Sequence, residues 1–252
     1  MTAGWREVGD RVFVRRHREL DLNCGLVVGD GGCLVVDTRS HLGEGRALAE
    51  AVRSVTPHPW TVVNTHAHYD HCFGNAAFRP AEVWAARQCA AELEATGELQ
   101  RAAAVAELLA DGDPAAELIA IAPIDLPDRL VDDAAVLDVG GRPVTLRHLG
   151  RGHTGADLVV TVDDVVFAGD LVEEGAPPAM EDAFPLEWAE TVTALLELVR
   201  GPVVPGHGAV VDAAFVAAQR DELAALARWL RDPGAELVFD QRTRTTARSR
   251  QA

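Results

Sequence analysis

The stretch from Val62 to Asn75, VVNTHAHYDHCFGN, gathers three histidines and an aspartate within a few positions: His66, His68, Asp70 and His71. Imidazole nitrogens and carboxylate oxygens are the donors that zinc, iron and manganese accept. In extended backbone the side-chain direction repeats every second residue, so His66 and His68 project to one side and can share a metal. Asp70 and His71 follow where the chain is expected to turn into a helix, which aims them at a neighbouring position. The pattern predicts two adjacent metal positions. Three further donors stand far along the chain, each beside glycine: His153 in GRGHTGAD, Asp170 in FAGDLV and His207 in VPGHGAV. Glycine next to such a donor lets backbone crowd a metal centre where a Cβ would collide. His17, His41, His58 and His148 lack that company and read as surface or hydrogen-bonded side chains.

These donors need elements to carry them. RVFVRR, LNCGLVVG and CLVVDT read as strands, the last two separated by a GDGG turn, and form an opening meander. Leu42 to Val55 has helical apolar spacing and stops near Pro57, and WTVVNT is a buried strand that delivers the histidine motif at its C-terminal mouth. After a strand at AEVWAA, the alanine- and glutamate-rich stretch from Arg87 to about Ala122 predicts two or three helices, an insertion that walls the substrate pocket. The second half repeats the opening logic. Strands are predicted at AAVLDV, PVTLRHLG, DLVVTV, VVFAGD and PVVPGHG, with helices from about Leu186 to Val199 and from Asp212 to Leu230. Two strand-rich halves with outer helices predict two packed sheets covered by helices on both sides, a single domain over residues 1–252.

Composition narrows the partners. A chain of 252 residues with 48% hydrophobic side chains can bury a large core, and a formal charge of -16 repels polyanions, so a nucleic-acid partner is not expected. The sequence contains no lysine; its arginines include a late cluster, RTRTTARSRQA, that reads as a frayed, solvated tail. No apolar run is long enough to cross a bilayer, and no membrane partner is expected. The N-terminal stretch shows no leader pattern, and Cys24, Cys33, Cys72 and Cys89 have no finger-like or paired spacing, so the expected setting is the reducing cytoplasm.

THAHYDH, GHTGAD, AGD and PGHG, in that order, resemble the metallo-β-lactamase-fold superfamily from about Val12 to His207. The resemblance implies an α+β fold, a four-layer αββα sandwich with its metal site at one edge between strand ends. It also implies a first metal held by His66, His68 and His153, a second held by Asp70, His71 and His207, and Asp170 bridging them. Asp37, in VVDTR, stands where family members carry an aspartate that orients ligands. A plain turn role for Asp37 is an equal expectation. Tyr69, Phe73, Trp188 and the EEGAPPAMEDAFP loop are candidates for the pocket wall, with packing as the simpler reading; Cys72 reads as a small buried hydrophobe.

The implied chemistry is hydrolysis. Two divalent ions, zinc before iron or manganese, share a hydroxide that attacks a small carbonyl substrate: an ester, thioester, lactone or β-lactam. Asp70 orients that hydroxide or handles its proton. A rival reading is a persulfide dioxygenase with one iron on His66, His153 and Asp170, since two histidines and a carboxylate suit oxygen chemistry. The remaining alternative is a metal-binding protein without catalysis. Oligomeric state is not legible.

Overall fold

The computed structural model describes residues 4–232 and 239–250. Its first sheet is built from β1 (Arg6–Gly9), β2 (Val12–Arg16), β3 (Asn23–Val28), β4 (Cys33–Val36), β5 (Trp60–Val63), β6 (Val83–Ala86) and β7 (Arg129–Val131), hydrogen-bonded in that order. β1 to β4 run antiparallel as the expected meander, and β4 to β7 run parallel. Parallel pairs need crossovers. Helix α1 (Leu42–Val55) supplies the first, the short α2 (Tyr69–Cys72) lies on the second, and α3 (Arg87–Asp111) with α4 (Ala115–Ala120) forms the third. The second sheet contains β8 (Ala134–Asp138), β9 (Pro143–His148), β10 (Leu158–Val162), β11 (Val165–Glu173) and β12 (Val203–His207) in reverse order, β12-β11-β10-β9-β8. α5 (Trp188–Leu196) connects β11 to its parallel neighbour β12, and α6 (Ala213–Arg231) and α7 (Gln241–Ser249) close the chain.

Period-two patterning builds the layers. Leu34 and Val36 point into the cluster between the sheets, where they meet Leu146, Leu158 and Phe167, whereas Cys33 and Val35 point outward to Leu48 and Val52 of α1. In the second sheet Val160 faces inward, and Val159 with Ala168 faces Val192 and Leu223 of the outer helices α5 and α6. Three apolar clusters therefore separate four layers, and the expected αββα sandwich with its helical insertion is the fold observed.

Three elements differ from the sequence reading. β1 and β7 were not expected as strands; both lie at the edges of the seven-stranded sheet, are only four and three residues long, and carry polar faces without alternation. The arginine-rich tail is helical rather than frayed over Gln241–Ser249. Asp240 caps it by accepting from the Thr243 N–H at 2.8 Å, Ala247 is fully buried against the outer cluster, and the Arg248 guanidinium lies 4.4 Å from the Trp229 ring centroid. Gln251 and Ala252 of that cluster lie outside the described residues.

Among the described residues, no helix is long and apolar enough to cross a membrane.

Candidate metal centre and cavity

All seven donors singled out by type and spacing meet at one edge of the sandwich, where both sheets end. His66 and His68 leave the C-terminal end of β5, with His68 as N-cap of α2, which carries Asp70 and His71 on its first turns. His153 sits in the β9–β10 connection, Asp170 within β11 and His207 at the last position of β12. Asn23 at the start of β3 fastens the two sheets here by donating to the Pro205 and Gly208 carbonyls at 3.0 and 2.9 Å. Leu158 N–H donates to the Thr65 carbonyl at 2.7 Å and ties the histidine motif to β10.

The donors form two groups, His66, His68, His153 and Asp170 in one and Asp70, His71 and His207 in the other, with ligand atoms of each group within 4.8 Å of one another. In the first group the Nδ1 of His68 lies 3.0 Å from His66 Nε2 and 2.9 Å from His153 Nε2. In the second, His71 Nε2 and His207 Nε2 are 3.3 Å apart, and Asp70 Oδ2 lies 3.5 and 3.4 Å from them. The Asp170 carboxylate reaches both: Oδ1 is 3.3 Å from His71 Nε2, and Oδ2 is 3.2 Å from His207 Nε2 and 3.5 Å from His153 Nε2.

Whether these donors suit a cation is decided by their outer hydrogen bonds, because a neutral imidazole has one N–H and one lone pair. Thr65 Oγ1 gives its only proton to Asp37 Oδ2 at 2.9 Å, so it accepts from His66 Nδ1 at 3.0 Å and leaves His66 Nε2 as a bare lone pair. His71 Nδ1 donates to the same Asp37 oxygen at 2.9 Å, His207 Nδ1 to the Leu20 carbonyl at 2.7 Å, and His68 Nε2 to Asp182 Oδ2 at 2.9 Å. Each of these bonds turns the other nitrogen inward. Lone pairs held about 3 Å apart repel unless a proton or a metal lies between them. Asp170 Oδ1 is also buried without a hydrogen-bond partner, as is the Nδ1 of His153, whose nearest acceptor, Glu173 Oε1, is 3.6 Å away. The set fits divalent cations.

Without metal the cluster holds protons instead. Burial opposes charge on His207, but Asp170 and Asp70 outweigh it and push its pKa up to about 12. Burial is likewise overcome at His68 by Asp182 and at His71 by Asp170, Asp70 and Asp37, and both rise to about 9. His66 and His153 go the other way, His153 to about 4, because burial dominates. Burial also raises the Glu173 carboxyl, to about 8, with Asp170 adding to the effect.

Glycine makes the crowding possible. A Cβ on Gly206 would sit 1.7 Å from Asp170 Oδ1, and Gly169, at φ +53°, would bring one to 2.8 Å from Thr65 Cβ. Asp37 pays for its place with backbone in the left-handed region, φ 63°. That conformation costs roughly 1–2 kcal/mol, whereas hydrogen bonds to a charged group are worth about 1.5–3 kcal/mol each. Asp37 makes three: from Thr65 N–H, Thr65 Oγ1 and His71 Nδ1. The orienting role thus prevails over the plain turn.

Above the two groups opens a cavity of about 630 Å³. Tyr69 and the Asp182 loop line it, and α3 contributes Gln100 and Glu107, so the expected helical wall is present. Gln100 Oε1 accepts from the Tyr69 N–H at 3.1 Å. Phe73 and Trp188 are fully buried instead; Trp188 packs behind His153, ring centroids 5.6 Å apart. Cys72 is buried, its Sγ 3.0 Å from the His68 carbonyl and its thiol pushed well up by burial. His41 caps α1 through Nδ1, His148 Nδ1 meets the Asp157 carbonyl, and neither they nor His17 and His58 join the cluster. Sequence reasoning missed Asp182, Glu173 and Thr65 as partners of the histidines. Thr65 and Glu173 each stand within three residues of a donor, and Glu173 and Asp182 belong to the EEGAPPAMEDAFP loop named as a candidate wall; no local pattern reveals the contact of Asp182 with His68.

A family model described as the metallo-beta-lactamase superfamily matches residues 18–207. The chain is similar to acyl-coenzyme A thioesterase MBLAC2 of Gallus gallus, 28% identical over 206 residues that span 73% of this chain and 72% of that protein. Among solved structures it is similar to a metallo-beta-lactamase from Pontibacter korlensis, with TM-score 0.66, 17% identity and coverage of 87% of this chain and 98% of the other. It is similar also to the metallo-beta-lactamase FIM-1 from Pseudomonas aeruginosa, with TM-score 0.68, 18% identity and coverage of 88% and 95%. At those identities the structural likeness speaks for the fold alone. The family match runs through every residue of the two donor groups and ends on His207. The chain belongs to the metallo-beta-lactamase superfamily and is a metal-dependent hydrolase of that fold.

Proposed function

We propose that this hydrolase cleaves a small carbonyl substrate, an ester, thioester, lactone or β-lactam, with two divalent ions, zinc before iron or manganese. The observation that carries the reading is the pair of converging donor groups that share Asp170 beneath one cavity. His66, His68 and His153 hold the first ion, Asp70, His71 and His207 the second, and Asp170 bridges them. Bound there, the ions supply an activated water at neutral pH and polarise the carbonyl oxygen.

The remaining work falls to the protein. Asp37, Thr65, Asp182 and the Leu20 carbonyl keep imidazole lone pairs turned inward, so no ligand rotates when substrate enters. Burial works against charge on Asp70, but His71 and His207 hold its carboxyl at about 2. That value belongs to the metal-free cluster; beside the second ion Asp70 would accept a hydrogen bond from the attacking water or handle its proton. α3 and the Asp182 loop confine the substrate. The thioester member of the series has added support from the thioesterase relative. A cavity of about 630 Å³ suits a small molecule, and the net charge of -16 weighs against nucleic acid. Four buried cysteines without disulfides accord with the cytoplasm.

The test is hydrolysis of the four carbonyl classes by zinc-loaded protein. Turnover of at least one is expected, lost in His66→Ala and Asp170→Ala and kept in His58→Ala. The iron-dependent oxidation reading uses only His66, His153 and Asp170 and leaves the second group without work. Oxygen uptake with a persulfide, and no hydrolysis, would overturn the hydrolase in favour of that chemistry.

A further inference from the structure

The walls of the cavity carry one sign of charge. Besides the metal-binding groups, the carboxylates of Asp21, Glu107, Glu174, Glu181 and Asp182 line it, and no arginine among the described residues does. The chain has no lysine to take that place. Among the described residues, Arg16 and Arg250 are bonded to residues at the rim. Arg16 pairs with Asp21 through two hydrogen bonds, and Arg250 donates to the Ala183 and Asp182 carbonyls, the latter at 3.0 Å. Carboxylate, sulfate and phosphate groups are recognised by arginine forks, lysine ammonium groups or clustered N–H donors. Nothing on these walls offers a cationic side chain to them.

The acids, by contrast, are available. Glu174 accepts one backbone N–H, from Ala209, and keeps oxygen lone pairs free. Among the described residues, Glu107 on α3 and Glu181 on the loop after β11 make no hydrogen bond or ion pair. Tyr69 lines the same space, and an aromatic ring attracts cations through its face. The donor groups at the floor would hold the ions that polarise the substrate carbonyl. The walls act on the rest of the substrate, and a focused negative field there raises the local concentration of cations and lowers that of anions.

We propose that the pocket selects carbonyl substrates whose remaining part is cationic, an ester or thioester bearing an amine or quaternary ammonium group, and disfavours anionic ones. This rests on the hydrolase reading above for its reaction, but its charge preference can be measured without turnover. Two matched alcohols serve as probes: choline, with a trimethylammonium group, and isethionate, with a sulfonate on the same two-carbon stem. Calorimetry on zinc-loaded protein is expected to show choline binding that weakens in Glu107→Gln/Glu181→Gln and on raising the salt, and no isethionate binding. Acetylthiocholine is then expected to exceed S-acetylthioglycolate in kcat/KM by about tenfold or more at low ionic strength. Isethionate binding as well as choline, or the thioglycolate ester being cleaved as fast, overturns the inference. Choline binding in the expected order with none of the four carbonyl classes cleaved leaves the charge preference standing and overturns the carbonyl-hydrolase reading instead.

Discussion

Asp37 is a residue on which both donor groups depend, because it acts on one histidine of each. Its Oδ2 fixes His71 directly and His66 through Thr65. Asp37→Asn isolates this role: asparagine tolerates the left-handed backbone at φ 63°, so strain is not added. The amide, however, presents one oxygen where the carboxylate presented two, and the NH₂ that takes the other place cannot accept from His71 or Thr65. Loss of such outer partners costs metal affinity about 10–100-fold. The expected result in competition titration with a chromophoric chelator is that range of loss with the fold retained by circular dichroism. Unchanged affinity would mean that the His71 ring is oriented by packing alone. Asp37 was legible as a candidate through the family resemblance at VVDTR, but its three bonds required the positions of Thr65 and His71, which come from the turn after β5 and from α2.

At the level of elements, the site exists because β11 and β12 run side by side with almost no side-chain volume between Asp170 and the β12 backbone. Gly206→Ala would place a methyl group 1.7 Å from Asp170 Oδ1, a distance that only displacement of the carboxylate can relieve. Such overpacking costs typically ~1–3 kcal/mol, so the sandwich survives while the shared ligand moves. Metal content is expected to fall sharply, whereas Gly155→Ala, whose methyl meets the Phe184 ring at an ordinary 3.6 Å, should keep it. Full metal occupancy in Gly206→Ala would remove Asp170 from the shared position. The elements themselves were largely readable, since the apolar, β-branched runs of β3, β4, β10 and β11 and helical spacing in α1 and α6 are strong local signals. β1 and β7 were not, because short polar edge strands are defined by a neighbour rather than by their own pattern. The tail helix was missed for a similar reason: its apolar anchor is one alanine, Ala247, under arginines that stack on Trp229.

Over the whole molecule, the two sheets have to come together before any donor group is complete. Each group draws on both halves of the chain, His66 and His68 meeting His153, and Asp70 and His71 meeting His207. Local sequence could therefore nominate all seven donors by type and glycine company, yet their pairing across the sandwich came from family resemblance and is visible only in the fold. The acidic cavity is likewise a property of assembly, contributed by the β2–β3 connection, α3 and the loop after β11. Metal per chain, measured by plasma mass spectrometry on protein purified without added metal or chelator, tests the central claim most directly. About two divalent ions per chain, mainly zinc, are expected from a donor set that shares one carboxylate between two groups. One iron per chain, or no metal even after reloading with zinc, would contradict it.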